Sequence, residues 1–166
     1  MFKKGEIVVY SATGVCRIED LCEKQFGTFS AQYYVLKPLM QKSATIFVPT
    51  NNTSLTSKLH TILTKSELEK ALNSAKLNCA PLLENENERR QRFNEILQNG
   101  DRTQLVSMVW ELYSIKKKQV DNGRRLHLAD ERLLDCAENL LFEEIAYVYG
   151  IEKTEAEALI ADILKV

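Results

Sequence analysis

The cysteine and histidine side chains that could build a zinc site are few in this sequence and are widely spread. They are four cysteines and two histidines, namely Cys16, Cys22, Cys79, Cys136, His60 and His127. No two cysteines form a CxxC pair, the usual basis of a structural zinc site, so we expect reduced thiols and no metal. Neither histidine lies in a signature of nucleophilic catalysis, and there is no glycine-rich phosphate motif. We therefore predict a protein that is not an enzyme, with no cofactor and no small-molecule substrate.

The charged residues are distributed unevenly, although the formal net charge is only −1. Residues 1–55 carry six Lys/Arg and four Asp/Glu, a net charge of +2. Residues 89–125 carry nine Lys/Arg and four Asp/Glu, a net charge of +5. Residues 126–166 carry three Lys/Arg and ten Asp/Glu, a net charge of −7. Such asymmetry is typical of a polyanion-binding surface beside an acidic flank, and it also arises where solvated helix faces pair with each other.

Six basic residues are predicted to contact the phosphates of DNA: Arg89, Arg90, Arg92, Lys116, Arg124 and Arg125. The helix dipole offers another explanation for Lys116, because positive charge is favourable near the C-terminal end of a helix. That explanation does not cover Arg89 and Arg90, which lie near the N-terminal end of a predicted helix, where positive charge is unfavourable. Phosphate contact is the functional hypothesis for this pair.

The first part of the chain has the composition of β-strands. Four runs are rich in β-branched and aromatic residues: "EIVVYS", "GVCRIEDL", "QYYVLKPL" and "ATIFVPT". Glycines separate these runs, and Pro49 ends the last of them because proline lacks a backbone donor. Several strands within about fifty residues predict a small SH3-like or Tudor-like β-barrel.

The remainder of the chain has the periodicity of helices, with apolar residues spaced by three and four. Helices are predicted over residues 64–77, 88–98, 103–122, 128–149 and 154–164. Ser66 with Glu69, and Thr154 with Glu157, have the spacing of a capping box. The segment 78–87 contains a proline and predicts a loop that could act as a hinge.

These elements predict an α+β protein of two domains. Residues 1–55 are assigned to the small β-barrel and residues 56–166 to an all-α helical domain. Trp110, the one tryptophan, is interpreted as a partly buried packing residue, with stacking on a base as the alternative. No apolar run approaches the roughly 20 residues of a membrane span, and no signal-peptide pattern is present, so we expect a cytoplasmic protein with no membrane partner.

Both parts of the chain resemble the CarD family of bacterial transcription regulators. The N-terminal segments that carry the resemblance are "FKKGEIVVYSATGVCRIED", "QYYVLKPL" and "TIFVPTNN". The helical segments are "RFNEILQNGD", "MVWELYSIKKKQ" and "ERLLDCAENLLFEEIAYVYGI". The resemblance covers nearly the whole chain apart from residues 55–85, and its N-terminal module also opens the transcription-repair coupling factor.

This resemblance implies a regulator that binds the β subunit of RNA polymerase. It implies that the β-domain docks by main-chain pairing at an exposed sheet edge, with contacts from Lys24, Tyr33, Phe47 and Pro49. It further implies that the helical domain contacts the phosphate backbone and minor groove of promoter DNA at the upstream edge of the melted bubble, and so changes the stability of the open complex.

One departure from the family pattern leaves a second interpretation open. Many family members carry a tryptophan that wedges into the minor groove, and this chain has Glu86 or Asn87 at that place. Acidic residues beside a phosphate track weaken binding to DNA. The alternative is therefore an interaction module that binds polymerase without productive DNA engagement.

Overall fold

The computed structural model describes residues 1–10, 13–26, 29–41, 43–77 and 85–164. The chain divides into two compact units, Met1–Ile62 and Leu63–Val166. The first unit contains an antiparallel sheet and the second contains packed helices. This arrangement confirms the predicted α+β fold class. Among the described residues, no helix is long and apolar enough to cross a membrane.

The first unit is built on five strands and one short helix among its described residues. They are β1 (Ile7–Tyr10), β2 (Gly14–Phe26), β3 (Phe29–Pro38), β4 (Ile46–Pro49), α1 (Thr53–Thr56) and β5 (Leu59–Thr61). The sheet order is β4-β3-β2-β1-β5, with antiparallel pairing throughout. The order places β4 and β5 at the two edges, and no pairing between them closes the sheet in the described parts of the chain.

The predicted strands correspond to β1–β4, whereas α1 and β5 were not predicted. The sequence of β5 is only "LHT", and it becomes a strand because it pairs with β1, where Val9 lies opposite His60. The first unit, which includes β5, ends at Ile62, whereas residues 1–55 were predicted as the β-domain.

The main core cluster of the first unit lies on one face of the sheet, as strand alternation predicts, and Val9 and Val15 are also buried on the opposite face. The buried side chains of the main cluster are Val8, Cys16, Ile18, Tyr34, Leu36, Val48 and Leu59. Phe2 packs edge-on against Tyr34 with 6.1 Å between ring centroids. Its backbone amide also donates to the Tyr34 hydroxyl at 3.3 Å, so the N-terminus is held on the sheet.

The second unit contains five helices in the residues that the structure describes. They are α2 (Lys65–Leu77), α3 (Glu86–Asn99), α4 (Arg102–Asp121), α5 (Leu128–Tyr149) and α6 (Lys153–Leu164). Apolar stripes from all five are buried, including Leu68, Leu72, Phe93, Ile96, Leu105, Met108, Leu112, Leu134, Leu141, Ile145, Ala156 and Ile160. Helices α3 and α5 both end at a glycine with positive φ, which is a common way to end a helix.

The predicted loop over residues 78–87 lies mostly outside the described residues. The structure describes its last part from residue 85 onward, where Asn85 caps α3. The Asn85 side chain accepts hydrogen bonds from the backbone amides of Asn87 and Glu88. Helix α3 therefore begins at Glu86, two residues before the predicted start.

The capping box of α2 and the corresponding side-chain bond at the start of α6 lie two residues before the predicted pairs. The Glu67 carboxylate accepts from the Thr64 amide at 2.8 Å, and the Thr64 hydroxyl accepts from the Glu67 amide at 3.3 Å. At α6, the Glu152 amide donates to the Glu155 carboxylate at 2.9 Å. The predicted pairs Ser66–Glu69 and Thr154–Glu157 are therefore wrong, because the orphan amides of a helix start are satisfied one half-turn earlier.

We expect Thr64→Ala to lower the free energy of unfolding of the helical unit by about 1 kcal/mol, since an N-cap hydroxyl is lost. Ser66→Ala is the matched control and should leave stability unchanged. Hydrogen bonds from Thr64 lower the pKa of Glu67. The stabilisation that this carboxylate gives to the folded helical unit is therefore present above the ordinary glutamate pKa, and it is lost as the pH falls. Urea unfolding at neutral and acidic pH measures both effects, and equal losses in the two variants would contradict the assignment.

Candidate functional site

The residues expected to dock on polymerase lie on one face of the sheet. Tyr33 on β3 is directly opposite Pro49 on β4, and paired residues of antiparallel strands share a face. Phe47 lies two residues from Pro49 along β4, so it shares that face as well. The Lys24 ammonium lies 3.4 Å from the centroid of the Phe47 ring, which brings β2 into the same surface. These four residues are called the docking face below.

The docking face is the side of the sheet away from the core. Phe47 is 43% exposed, whereas its neighbour Val48 is 1% exposed. Val48 lies opposite Tyr34, which is also buried in the core. An aromatic ring with its face over a lysine and nearly half its surface in water can serve as an anchor for a partner.

Strand β4 gives the docking face an edge that could accept another strand. It occupies one end of the sheet order and pairs with β3 on one side only, among the described residues. Edge strands present backbone donors and acceptors that a partner strand can satisfy. The arrangement can therefore supply main-chain hydrogen bonds from β4 and side-chain contacts from the docking face.

The arginines at the start of α3 hold that helix against α5. Arg89 is buried, and its Nη2 donates to the Asp130 carboxylate at 3.2 Å. Arg90 donates through Nε to the other oxygen of Asp130 at 3.1 Å and through Nη2 to Glu86 at 3.2 Å. Asp130 is fully buried. The positions of Arg89 and Arg90 near a helix N-terminus thus have a structural explanation, because Asp130 supplies the negative charge that compensates them.

Two further ion pairs join the helices of the second unit. Arg92 on α3 pairs with Glu111 on α4, which is 3% exposed. Arg102 on α4 pairs with Glu144 on α5 at 2.7 Å, and both side chains are buried. The Glu144 carboxylate also accepts a hydrogen bond from the backbone amide of Leu63. A buried charge is costly unless an opposite charge compensates it, and each of these arginines supplies that opposite charge to its carboxylate partner.

The other predicted DNA-contacting residues lie at the surface near the end of α4. Lys116, Arg124 and Arg125 are exposed, and within the described parts of the chain none of them forms an ion pair. The turn after α4 is shaped by Gly123, which has a φ of 67°. The Arg124 amide closes this turn by donating to the carbonyl of Gln119 at 2.8 Å. Exposed cations without carboxylate partners are the ones that can neutralise phosphates.

Two family models match this chain, one for each unit. Residues 2–61 match the CarD-like/TRCF RID domain, and residues 67–161 match the CarD C-terminal domain. The chain belongs to the CarD family. This result confirms the resemblance seen in the sequence and gives the chain a transcription-associated role with an RID module of the TRCF type.

One curated relative aligns with this CarD-family chain over almost its whole length. It is the Bacillus subtilis (strain 168) protein named "Putative transcription factor YdeB". The two are 23% identical over 158 residues, which cover 95% of this chain and 99% of the relative. The alignment therefore spans both units.

Glu86 or Asn87 stands where many family members carry the wedge tryptophan, and Glu86 contacts neighbouring polar side chains. Glu86 accepts a hydrogen bond from Arg90 and lies 3.8 Å from the Nε2 atom of His127. Trp110 lies elsewhere, half-buried on α4, where Ser114 donates to its carbonyl. The half-buried position fits the interpretation of Trp110 as a packing residue.

The cysteines and histidines do not form a metal site in the described residues. No three His, Cys, Asp or Glu side chains come together there as ligands. Cys16 is buried, Cys22 half-buried and Cys136 exposed. Cys79 lies outside the described residues.

Three carboxylates that organise the helical unit were not predicted from the sequence. They are Glu111, Asp130 and Glu144. Each occupies a position on the apolar stripe of its own helix; Glu144, for example, lies four residues after Leu140 and three after Leu141. A charged residue at a stripe position was the available signal, because such a residue is buried only when a partner compensates it.

Proposed function

We propose that this chain binds the β subunit of RNA polymerase through its first unit and contacts promoter DNA through its second. The single observation that carries the proposal is the docking face. Its four residues, which the family resemblance implied, come from three strands and lie on one side of the sheet, at the edge formed by β4. This role requires no catalytic residue and no cofactor, and it implies action in the cytoplasm, where bacterial transcription takes place.

The polymerase contact follows the physics of strand addition. A strand of the β subunit would pair with β4, and backbone hydrogen bonds would supply part of the affinity. Phe47 and Tyr33 would supply apolar contact area, and Lys24 would attract an acidic side chain of the partner. Specificity would come from this face, because backbone pairing alone does not distinguish one strand from another.

The DNA contact is assigned to the exposed cations of the second unit. Lys116, Arg124 and Arg125 are free to face phosphates, whereas Arg89 and Arg90 are committed to Asp130. Contacts of this kind fix position on the duplex and are independent of base sequence. When the first unit is bound to polymerase, such contacts at the upstream edge of the bubble would change the lifetime of the open complex.

We expect Arg124→Ala and Arg125→Ala each to weaken duplex binding equally for different sequences. Each change should reduce the slope of log affinity against log salt by about one unit, because one phosphate contact is lost. Lys70→Ala is the matched control: Lys70 is an exposed cation on α2, outside the proposed surface. Fluorescence anisotropy over a salt series measures both quantities, and a control that loses as much as the two variants would refute the assignment.

The functional test is the lifetime of the open complex formed by purified polymerase on a promoter. The full-length chain should change this lifetime, and the variant carrying both Arg124→Ala and Arg125→Ala should lose the effect while it still binds polymerase. A variant that keeps the full effect would show that DNA contact by these residues is not required.

A second function, a polymerase-binding module without DNA engagement, is supported by a specific observation. The three arginines of α3 predicted to contact DNA are paired with carboxylates, and Glu86 adds negative charge beside them. This second hypothesis predicts that the chain binds polymerase but leaves the open-complex lifetime unchanged. The lifetime measurement therefore separates the two functions directly.

A further inference from the structure

The guanidinium of Arg90 contacts two carboxylates that differ in burial. Its Nε donates to the fully buried Asp130 at 3.1 Å, and its Nη2 donates to Glu86 at 3.2 Å. The Glu86 side chain is 49% exposed and the Arg90 side chain 27% exposed. An exposed ion pair at i, i+4 contributes little stability, because water and salt screen both charges. The Glu86 contact can therefore be exchanged for another anion while Asp130 still holds the guanidinium.

The buried part of this cluster carries more positive than negative charge. The second oxygen of Asp130 accepts a hydrogen bond from Nη2 of Arg89, which is itself buried. One carboxylate balances the charge of one arginine, so these three side chains together carry one net positive charge. Glu86 neutralises that charge at the surface. If Glu86 turned away, the remaining charge would attract a phosphate.

Glu86 also lies beside the turn that carries two of the proposed DNA contacts. One of its oxygens accepts from Arg90, and the other lies 3.8 Å from Nε2 of His127. His127 follows Arg125 by two residues and is the N-cap residue of α5. A duplex held by Arg124 and Arg125 would therefore bring phosphates towards the Glu86 carboxylate, and like charges would repel each other.

We propose that Glu86 occupies the position of a DNA phosphate on Arg90 and so limits the affinity of the helical unit for DNA. When a backbone phosphate approaches, Glu86 turns into solvent and the phosphate takes its place on Nη2 of Arg90. Asp130 keeps its hydrogen bond to Nε, which fixes the direction in which the guanidinium donates. This inference rests on the proposed DNA contact and adds a residue that regulates it.

The neighbouring cations favour a phosphate of DNA over a free phosphate ion as the occupant. Arg124 and Arg125 are exposed, and in the parts of the chain that the structure describes neither forms an ion pair. A free ion could use only the contact with Arg90 once Glu86 has moved. A duplex could contact several cations at the same time, so its contacts reinforce one another.

The test measures binding of a labelled duplex by fluorescence anisotropy over a salt series. Glu86→Gln should strengthen binding about five-fold at low salt, because a repelling charge is removed and a phosphate contact is gained. The slope of log affinity against log salt should become steeper by about one unit. Combining Glu86→Gln with Arg90→Gln should abolish the gain.

Glu88→Gln is the matched control. It removes the same charge from an exposed residue in the first turn of α3, and it should change the affinity by less than about two-fold. Urea unfolding checks that each variant is folded. If the variant that carries Arg90→Gln is not folded, the comparison of Glu86→Gln with Glu88→Gln still decides, because both positions are exposed.

Inorganic phosphate distinguishes a free ion from DNA as the occupant. Added in place of chloride at constant ionic strength, it should leave the duplex affinity of Glu86→Gln unchanged. Specific competition by phosphate would assign the position on Arg90 to the free ion and overturn the proposal.

Failure of this inference can be told apart from failure of the proposed function. If Arg124→Ala and Arg125→Ala weaken duplex binding, but Glu86→Gln gains no more than Glu88→Gln, the DNA contact stands and the role of Glu86 is wrong. If none of these changes alters duplex binding, both are wrong. A gain with Glu86→Gln that persists after Arg90→Gln would also overturn the inference, since Arg90 would not be the contact.

Discussion

Replacing Asp130 with alanine is expected to destabilise the helical unit by about 3–5 kcal/mol, the usual effect of removing one partner from a buried ion pair. Asp130 is fully buried and accepts hydrogen bonds from Arg89 and Arg90. Without it, the buried Arg89 guanidinium loses this compensating negative charge, and α3 loses its polar attachment to α5. Urea unfolding followed by the fluorescence of Trp110 measures the loss, because the single tryptophan belongs to the helical unit.

Glu131→Ala is the matched control for this experiment. Glu131 is the next residue on α5 and is exposed, so its removal should change stability by less than about 0.5 kcal/mol. A second variant separates charge from packing: Asp130→Leu combined with Arg89→Met replaces the pair with apolar groups and should recover part of the loss. If Asp130→Ala and Glu131→Ala unfold at the same urea concentration, the role assigned to the ion pair is wrong.

The strands and helices were predictable where local sequence determines them. The β-branched and aromatic residues of "EIVVYS" and "ATIFVPT" identify strands because such side chains fit a pleated surface. The stripe of Leu105, Met108 and Leu112 identifies α4 because residues three and four apart share a face. The strand β5 was not predictable in this way, since its three residues depend on pairing with β1.

The docking face and the basic residues of the second unit differ in how far the sequence alone predicts their positions. The spacing of Phe47 and Pro49 already places both on one side of a strand, but the position of Lys24 over Phe47 depends on the pairing of three strands. The partner of Arg89 is 41 residues away along the chain, on another helix. Arg89 precedes the buried Phe93 by four residues, so its position on the apolar stripe of α3 distinguishes it from an exposed arginine such as Arg124, but no local pattern identifies its partner. Charge clusters therefore indicated the basic segment without showing which cations remain available.

The docking face gives the second large expected effect. The double variant Lys24→Glu and Phe47→Ala should weaken binding of the full-length chain to the polymerase β subunit roughly thirty-fold, about 2 kcal/mol, the size of an interface hot spot. Truncation removes the exposed aromatic ring, and reversal of the lysine charge opposes an acidic partner. Biolayer interferometry with the isolated β subunit at two salt concentrations measures the change.

The controls for this variant separate lost contact from lost fold. Met40→Ala removes an apolar side chain that is 55% exposed in the connection after β3, outside the docking face, and it should bind as the parent does. The double variant should unfold at nearly the parent's temperature, because neither side chain belongs to the buried core. The Lys24→Glu component should lose more affinity at low salt than at high salt, since screening weakens charge repulsion. A folded double variant that binds like Met40→Ala at both salt concentrations would remove the docking face from the proposal and leave only the edge of β4 as a contact surface.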